Sequence, residues 1–105
     1  MDNYNLEITE NIDDGICRVT ARGRIDSNNA NILLEKLENA MNDGNKNIIL
    51  NMYHIDYLSS IGIRVILKIY KQAMESGSKF KIEHPSAIVK NVLGMVALKE
   101  LLIVN

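Results

Sequence analysis

The chain lacks what a disulfide framework, a membrane span or a nucleic-acid surface would need. There is one cysteine, Cys17, in 105 residues, so no disulfide can close within the chain. Cys17 alternates with Val19 and Ala21, a spacing that predicts core packing for its thiol. No apolar segment approaches the roughly 20 residues of a membrane-spanning helix. Twelve basic residues stand against thirteen acidic ones, a net charge of −1. Nucleic-acid binding and polybasic membrane anchoring both draw on an excess of positive charge that this chain does not have. Met1-Asp2-Asn3-Tyr4 is not the charged segment and apolar run of an export signal, so a cytoplasmic location without direct membrane insertion is expected.

Catalytic signatures are equally scarce. There is no P-loop, no Gly-x-Gly-x-x-Gly and no Gly-x-Ser-x-Gly elbow. His54 and His84 have no cysteine or second histidine at metal-ligand spacing, so neither a metal nor a cofactor is expected. Ser59 and Ser60 become nucleophiles only if a distant histidine, His54 being the nearest in sequence, folds against them. Asp26 and Asp56 form an acid pair only if the fold brings them together, and loop aspartates more commonly serve turns and caps. No enzymatic activity is expected.

What is present is enough for one α/β domain over residues 1–105. Hydrophobic residues make up 47% of the chain, sufficient for a single core. Leu6 and Ile8 alternate with polar residues in a short strand, and Asp13-Asp14-Gly15 makes a turn. Residues 16–23 alternate again, which predicts a sheet with one packed and one partly wet face. Asp26-Ser27-Asn28-Asn29 supplies cap candidates for a first helix carrying Ala30, Leu33, Leu34, Leu37, Ala40 and Met41, with Gly44 as a left-handed stop. Asn47-Ile48-Ile49-Leu50-Asn51 reads as a central strand buried on both faces. A second helix begins near Ser60, with Ile63, Ile66, Leu67, Tyr70 and Met74 as its core stripe and Gly77 as its stop. A strand over Lys79–Glu83, a short helix from Pro85-Ser86 carrying Ile88, Val89, Val92 and Leu93, and a final edge strand near residues 101–104 complete the order β-β-α-β-α-β-α-β. Alternating strands and helices imply a mixed, mostly parallel sheet after an initial hairpin.

The stretch Asp56-Tyr57-Leu58-Ser59-Ser60-Ile61-Gly62-Ile63-Arg64 turns the chain from strand to helix at two hydroxyls. Serine is a good helix N-cap, and Gly62 suits a helix packed closely on a neighbour. A hydroxyl there also lies near the positive end of a helix dipole, where a phosphate is tolerated. The stretch resembles the phosphoacceptor loop of the STAS family, the sulphate-transporter and anti-sigma-factor-antagonist domains. Gly23-Arg24-Ile25-Asp26 resembles the family's Gly-x-Leu-Asp turn, Asn47 to Asn51 its central strand, and Pro85-Ser86-Ala87-Ile88-Val89-Lys90-Asn91-Val92-Leu93 the helix after its next strand. The likeness keeps its order and spacing over nearly the whole chain.

The resemblance implies a bacterial anti-sigma-factor antagonist. In such proteins a GHKL-type serine kinase, which is also the anti-sigma factor, binds the unmodified antagonist and releases a sigma factor. Phosphorylation of the second serine ends that binding, and a metal-dependent serine/threonine phosphatase resets the cycle. By position the acceptor is Ser60, Asp26 is the loop acid near it, and Gly62 is the small residue that keeps the surface open. Asp56, Ser59, Ile61, Arg64, Val65 and Lys68 complete the expected partner-binding surface. Three positions depart from the family pattern. Ser59 stands where many members have Asp, Ile61 where Ser, Thr or Ala is usual, and Ala97 where many have Gly. Ile61, Val65 and Ile69 make a second apolar stripe on the helix, either packed on the first helix or exposed beside Ser60. Arg64, at i+4, lies within reach of a phosphate on Ser60. A monomer is expected when free. Two other roles remain open from the sequence: an accessory subunit of a transporter or other membrane complex without phospho-switching, and an enzyme or nucleotide binder using Ser60 and the loop acids.

Overall fold

A computed structural model describes residues 5–95 and 103–104. Leu6–Asp13 forms β1 and Ile16–Ile25 forms β2, joined as an antiparallel hairpin. Asp14 and Gly15 both take positive φ, 57° and 79°, the two-residue turn whose twist matches that of the flanking strands. Then follow α1 (Ala30–Asn42), β3 (Asn47–Leu58), α2 (Ser60–Ser76), β4 (Lys79–Glu83), α3 (Ala87–Met95) and β5 (Ile103–Val104). The sheet order is β1-β2-β3-β4-β5, parallel from β2 onward. The element order expected from the sequence is the one observed. Ala97, Leu101 and Leu102 lie outside the described residues.

Each crossover joins a strand to its next neighbour in the same direction. Right-handed connections therefore put the helices on one face of the sheet. On that face Cys17, Ile48 and Phe80 lie in register across β2, β3 and β4, as do Val19, Leu50 and Ile82, with Ala21 and Met52 beyond them. They form one core with Leu33 and Leu37 of α1, Ile66 and Ile69 of α2, and Val89 and Leu93 of α3. Burial raises the Cys17 thiol pKa to about 11, so it stays protonated and inert. The opposite face is partly solvated. Ile49 there is only half-buried, which corrects the expectation that β3 is covered on both sides. Arg18 of β2 crosses β3 on this face to make a two-pronged contact with Glu83 of β4, with both bonds 3.1 Å.

β3 is also longer than its apolar run suggests. It continues to Leu58, so Asp56 lies on a strand and not in a loop. Two register shifts, between Thr20 and Arg22 and between Gly23 and Arg24 of β2, each take an extra residue on β3. Inward-facing residues therefore run Ile48, Leu50, Met52 at a period of two, then Ile55 and Leu58 at a period of three. Ser86 anchors α3 to the bulged half. Its Oγ donates to the Ile55 carbonyl at 2.6 Å and accepts from the Val89 N–H at 3.3 Å.

Candidate functional site

The last pair in the β2–β3 ladder is Ile25 with Leu58. The Ser59 N–H donates to the Ile25 carbonyl at 2.9 Å. Asp26 and Ser59 thus leave adjacent parallel strands side by side, at the carboxyl edge where α/β sheets build their sites. Gly23 sets up this end. Its φ of 115° and the approach of the Asn5 carbonyl leave no room for a side chain, and the same carbonyl accepts from the Arg24 N–H at 3.0 Å.

α2 starts at a well-made cap. Ser59 is extended (φ −81°, ψ 171°), and its Oγ accepts from the Gly62 N–H at 3.1 Å. The Ser59 carbonyl takes the Ile63 N–H at 3.0 Å. Neither the Ser60 nor the Ile61 N–H has a partner among the described residues. With Ser59 occupied by the cap, Ser60 stands on the first turn with its hydroxyl exposed.

The structure corrects two of the expected surface residues. Gly62 faces inward. A Cβ there would lie 2.6 Å from Leu58 Cδ1 and 2.8 Å from Ile25 Cγ2, so the glycine lets α2 close onto the two strand ends and does not keep the surface open. Val65 is 6% exposed and belongs to the core, as does Ile69. The second apolar stripe is therefore packing at both positions, and only Ile61 remains outside, 39% exposed. The core stripe itself is Gly62, Val65, Ile66, Ile69 and Ala73; Ile63 and Tyr70 flank it, and Leu67 and Met74 point out. Arg64 and Lys68 are exposed, as expected.

The start of α1 is held by side chains that bond mainly to the nearby backbone. Asn29 is fully buried; its Oδ1 accepts from the Asp26 N–H at 2.9 Å and its Nδ2 donates to the Arg24 carbonyl at 2.8 Å. Asp26 Oδ1 accepts from the Asn28 N–H at 2.9 Å, and Oδ2 from Arg24 Nε at 3.2 Å. The Asn28 N–H, and after it the Arg24 guanidinium, hold the Asp26 carboxyl below the usual range. The Arg24 guanidinium also lies over the exposed Tyr57 ring, 4.3 Å from its centroid. Sequence reading passed over Arg24, Tyr57 and the inward role of Asn29. The only available signals were an arginine two residues before an aspartate and an asparagine among the cap candidates.

Other expected groupings do not form. Among the described residues, no hydrogen bond joins Asp26 to Asp56 or Ser60, or either histidine to a serine. Asp56 is exposed on the bulged part of β3, and the His54 ring meets Tyr53 edge-on. No group of three or more His, Cys, Asp or Glu among the described residues is placed to hold a metal.

Known proteins share this fold. The chain is 31% identical over 67 residues to the candidate anti-sigma factor antagonist BtrV of Bordetella bronchiseptica; the match covers 64% of this chain and 58% of that relative. An anti-sigma factor antagonist from Mycobacterium paratuberculosis superposes with a TM-score of 0.84 at 15% identity, covering 93% of this chain and 84% of the other. SpoIIAA in its unphosphorylated form superposes at 0.80 with 16% identity, over 94% and 89%. The phosphorylated form of the Bacillus protein does so at 0.73 with 15% identity, over 95% and 91%. These structural likenesses are of fold. The STAS domain model matches residues 5–104, nearly the full length: the chain belongs to the STAS domain family.

Proposed function

We propose that the chain is an anti-sigma factor antagonist, a binding module without catalysis that works by partner switching in the cytoplasm. Unmodified, it binds a GHKL-type serine kinase that doubles as an anti-sigma factor, and so frees a sigma factor. Phosphorylation of Ser60 ends the binding, and a metal-dependent phosphatase restores it. The observation that carries this reading is the division of labour between the two serines: Ser59 caps α2, and Ser60 is left exposed beside two unpartnered N–H groups. The names of BtrV and of the structural neighbours support the same role.

A phosphate on Ser60 adds a charge of about −1.5 to −2. It would sit at the N-terminal end of a 17-residue helix, where the dipole favours it, so the helix need not melt. The switch then acts at the contact surface. Each ~1.4 kcal/mol of repulsion or desolvation cost weakens binding tenfold. The phosphorylated chain is expected to keep its amide NMR spectrum away from residues 58–64.

The direct test uses wild-type and Ser60→Asp baits against lysate of the native organism, with the captured proteins identified by mass spectrometry. Capture of a GHKL-type kinase by wild type alone is the expected result. Recovery of the same transporter components by both baits would overturn it in favour of an accessory-subunit role.

A further inference from the structure

The sheet ends on β1 with an edge that no strand among the described residues covers. β1 pairs with β2 without a break, from Leu6 opposite Gly23 to Asp13 opposite Ile16. The two-residue turn at Asp14-Gly15 makes Asp13 and Ile16 a hydrogen-bonded pair. The alternation of an antiparallel ladder then aims the backbone of Asp13, Asn11, Thr9 and Glu7 at β2. The Arg24 N–H on the Asn5 carbonyl continues the same phase. Leu6, Ile8, Glu10 and Ile12 therefore turn their N–H and C=O groups away from the sheet. Their side chains share the helix-bearing face with the residues opposite them, Gly23, Ala21, Val19 and Cys17.

Open edges are ordinarily blunted by lysine, proline, a bulge or shortness. β1 has eight residues in regular register and neither lysine nor proline. Two of its acids are turned onto cations of the same chain, Glu7 to Arg22 at 3.8 Å and Glu10 to Lys36 at 3.7 Å. The edge strand on the other side, β5, has two residues. α1 also stops short of β1. Cys17 is fully buried, yet Ile12 opposite it is 58% exposed, and a groove lined by Leu6, Ile8 and Ile32 with Lys36 opens between β1 and α1.

The sequence of β1 fits its own copy. In an antiparallel pair centred on Thr9, Leu6 stands opposite Ile12, Glu7 opposite Asn11, Ile8 opposite Glu10 and Thr9 opposite Thr9. Every outward N–H and C=O from Leu6 to Ile12 is then bonded, no acid faces an acid, and Ile12 lands beside Leu6 at the groove. A slide of two residues one way sets Glu10 against Glu10 and Glu7 against Asp13; the other way leaves Ile12 unpaired. A slip of one residue sets the outward-bonding residues of one copy against residues already bonded to β2 in the other.

We propose that two copies of the chain associate edge to edge through β1, about a two-fold axis at Thr9, so that their sheets become one. The monomer expected from the sequence is then the dilute form. The association does not involve the serine loop and does not depend on partner switching.

The test is sedimentation velocity of the full chain under reducing conditions, from about 5 to about 500 µM. Wild type is expected to pass from monomer to dimer over that range. Ile12→Lys should weaken the association at least about tenfold while melting within about 2 °C of wild type. Association undiminished by Ile12→Lys would overturn the proposal. A chain that stays monomeric throughout would also overturn it and leave the edge to a different protein. Oxidation reads the register. Opposed residues of a non-bonded antiparallel pair lie about 4.5 Å apart at Cα, within disulfide range. Cys17 is buried, and Thr9 is exposed. Thr9→Cys should therefore cross-link into dimers, whereas Asn11→Cys, with its two copies roughly 14 Å apart, should not. Equal cross-linking of both variants would refute pairing centred on Thr9.

Discussion

The helices that follow β2 and β3 begin one hydrogen bond apart, yet they begin differently. The α1 start is closed: Asn29 is buried and bonded to the backbone on both sides, and Asp26 is committed to Asn28 and Arg24. The α2 start is open: Ser59 satisfies one N–H, two more remain available, and Ser60 is exposed. One start builds a fixed wall, and the other leaves an exposed hydroxyl against it. A site that is switched by a covalent group without refolding needs both.

The largest effect is expected where the two helix starts share a footing. Gly62 rests on Ile25 and Leu58, the residues just before the two starts. Gly62→Val is expected to lose about 3 kcal/mol in urea unfolding through overpacking, more than its gain in helix propensity returns; an unchanged midpoint would show that the strand ends yield freely. Asn29→Ala removes two bonds from a buried position and should cost about 2 kcal/mol, leaving the Asp26 N–H and Arg24 carbonyl unpaired. A loss no larger than that of a surface substitution would mean that the closed start is not closed. Ser59→Ala deletes the α2 cap and should cost about 1 kcal/mol in thermal unfolding.

Smaller effects sharpen the contrast. Asp26 is depressed in the folded chain, chiefly by the Asn28 N–H, so its contribution is present above the unfolded carboxylate value of about 4 and fades as pH falls below it. The stability gap between wild type and Asp26→Asn should therefore shrink below about pH 4; a gap that widens on acidification would contradict the assignment. Ser60→Ala should change the melting midpoint least of all, by less than about 0.5 kcal/mol equivalent, because nothing in the fold leans on that hydroxyl. A larger loss would make Ser60 a structural residue.

Much of this architecture was legible in the chain. The Asp14-Gly15 turn, the α1 stripe through Leu33 and Leu37, and the stops at Gly44 and Gly77 follow from local chemistry that the tertiary fold does not override. The second half of β3 was not, because two extra residues change its inward period from two to three, and no single periodicity fits both halves. The face of α2 was misjudged for a related reason. Leu67 and Met74 dominate any apolar pattern, but the surface against the strands admits Gly62 and Ala73, whose smallness is the signal. The serine pair was legible as a cap; the stacking of Arg24 on Tyr57 was not, because it joins residues 33 positions apart only through strand pairing.

The bulges in β3 set where the serine loop ends. In the half that faces β4, Ile48 to Asn51 are each tied to two neighbouring strands, and losing one would turn the whole inner face outward. Between Met52 and Leu58, two extra residues bring Leu58 opposite Ile25. The molecule thus joins a ruler to a stepped rail: one half of β3 keeps the core in register with β2 and β4, and the other, pinned to α3 through Ile55, sets how far the serine loop reaches.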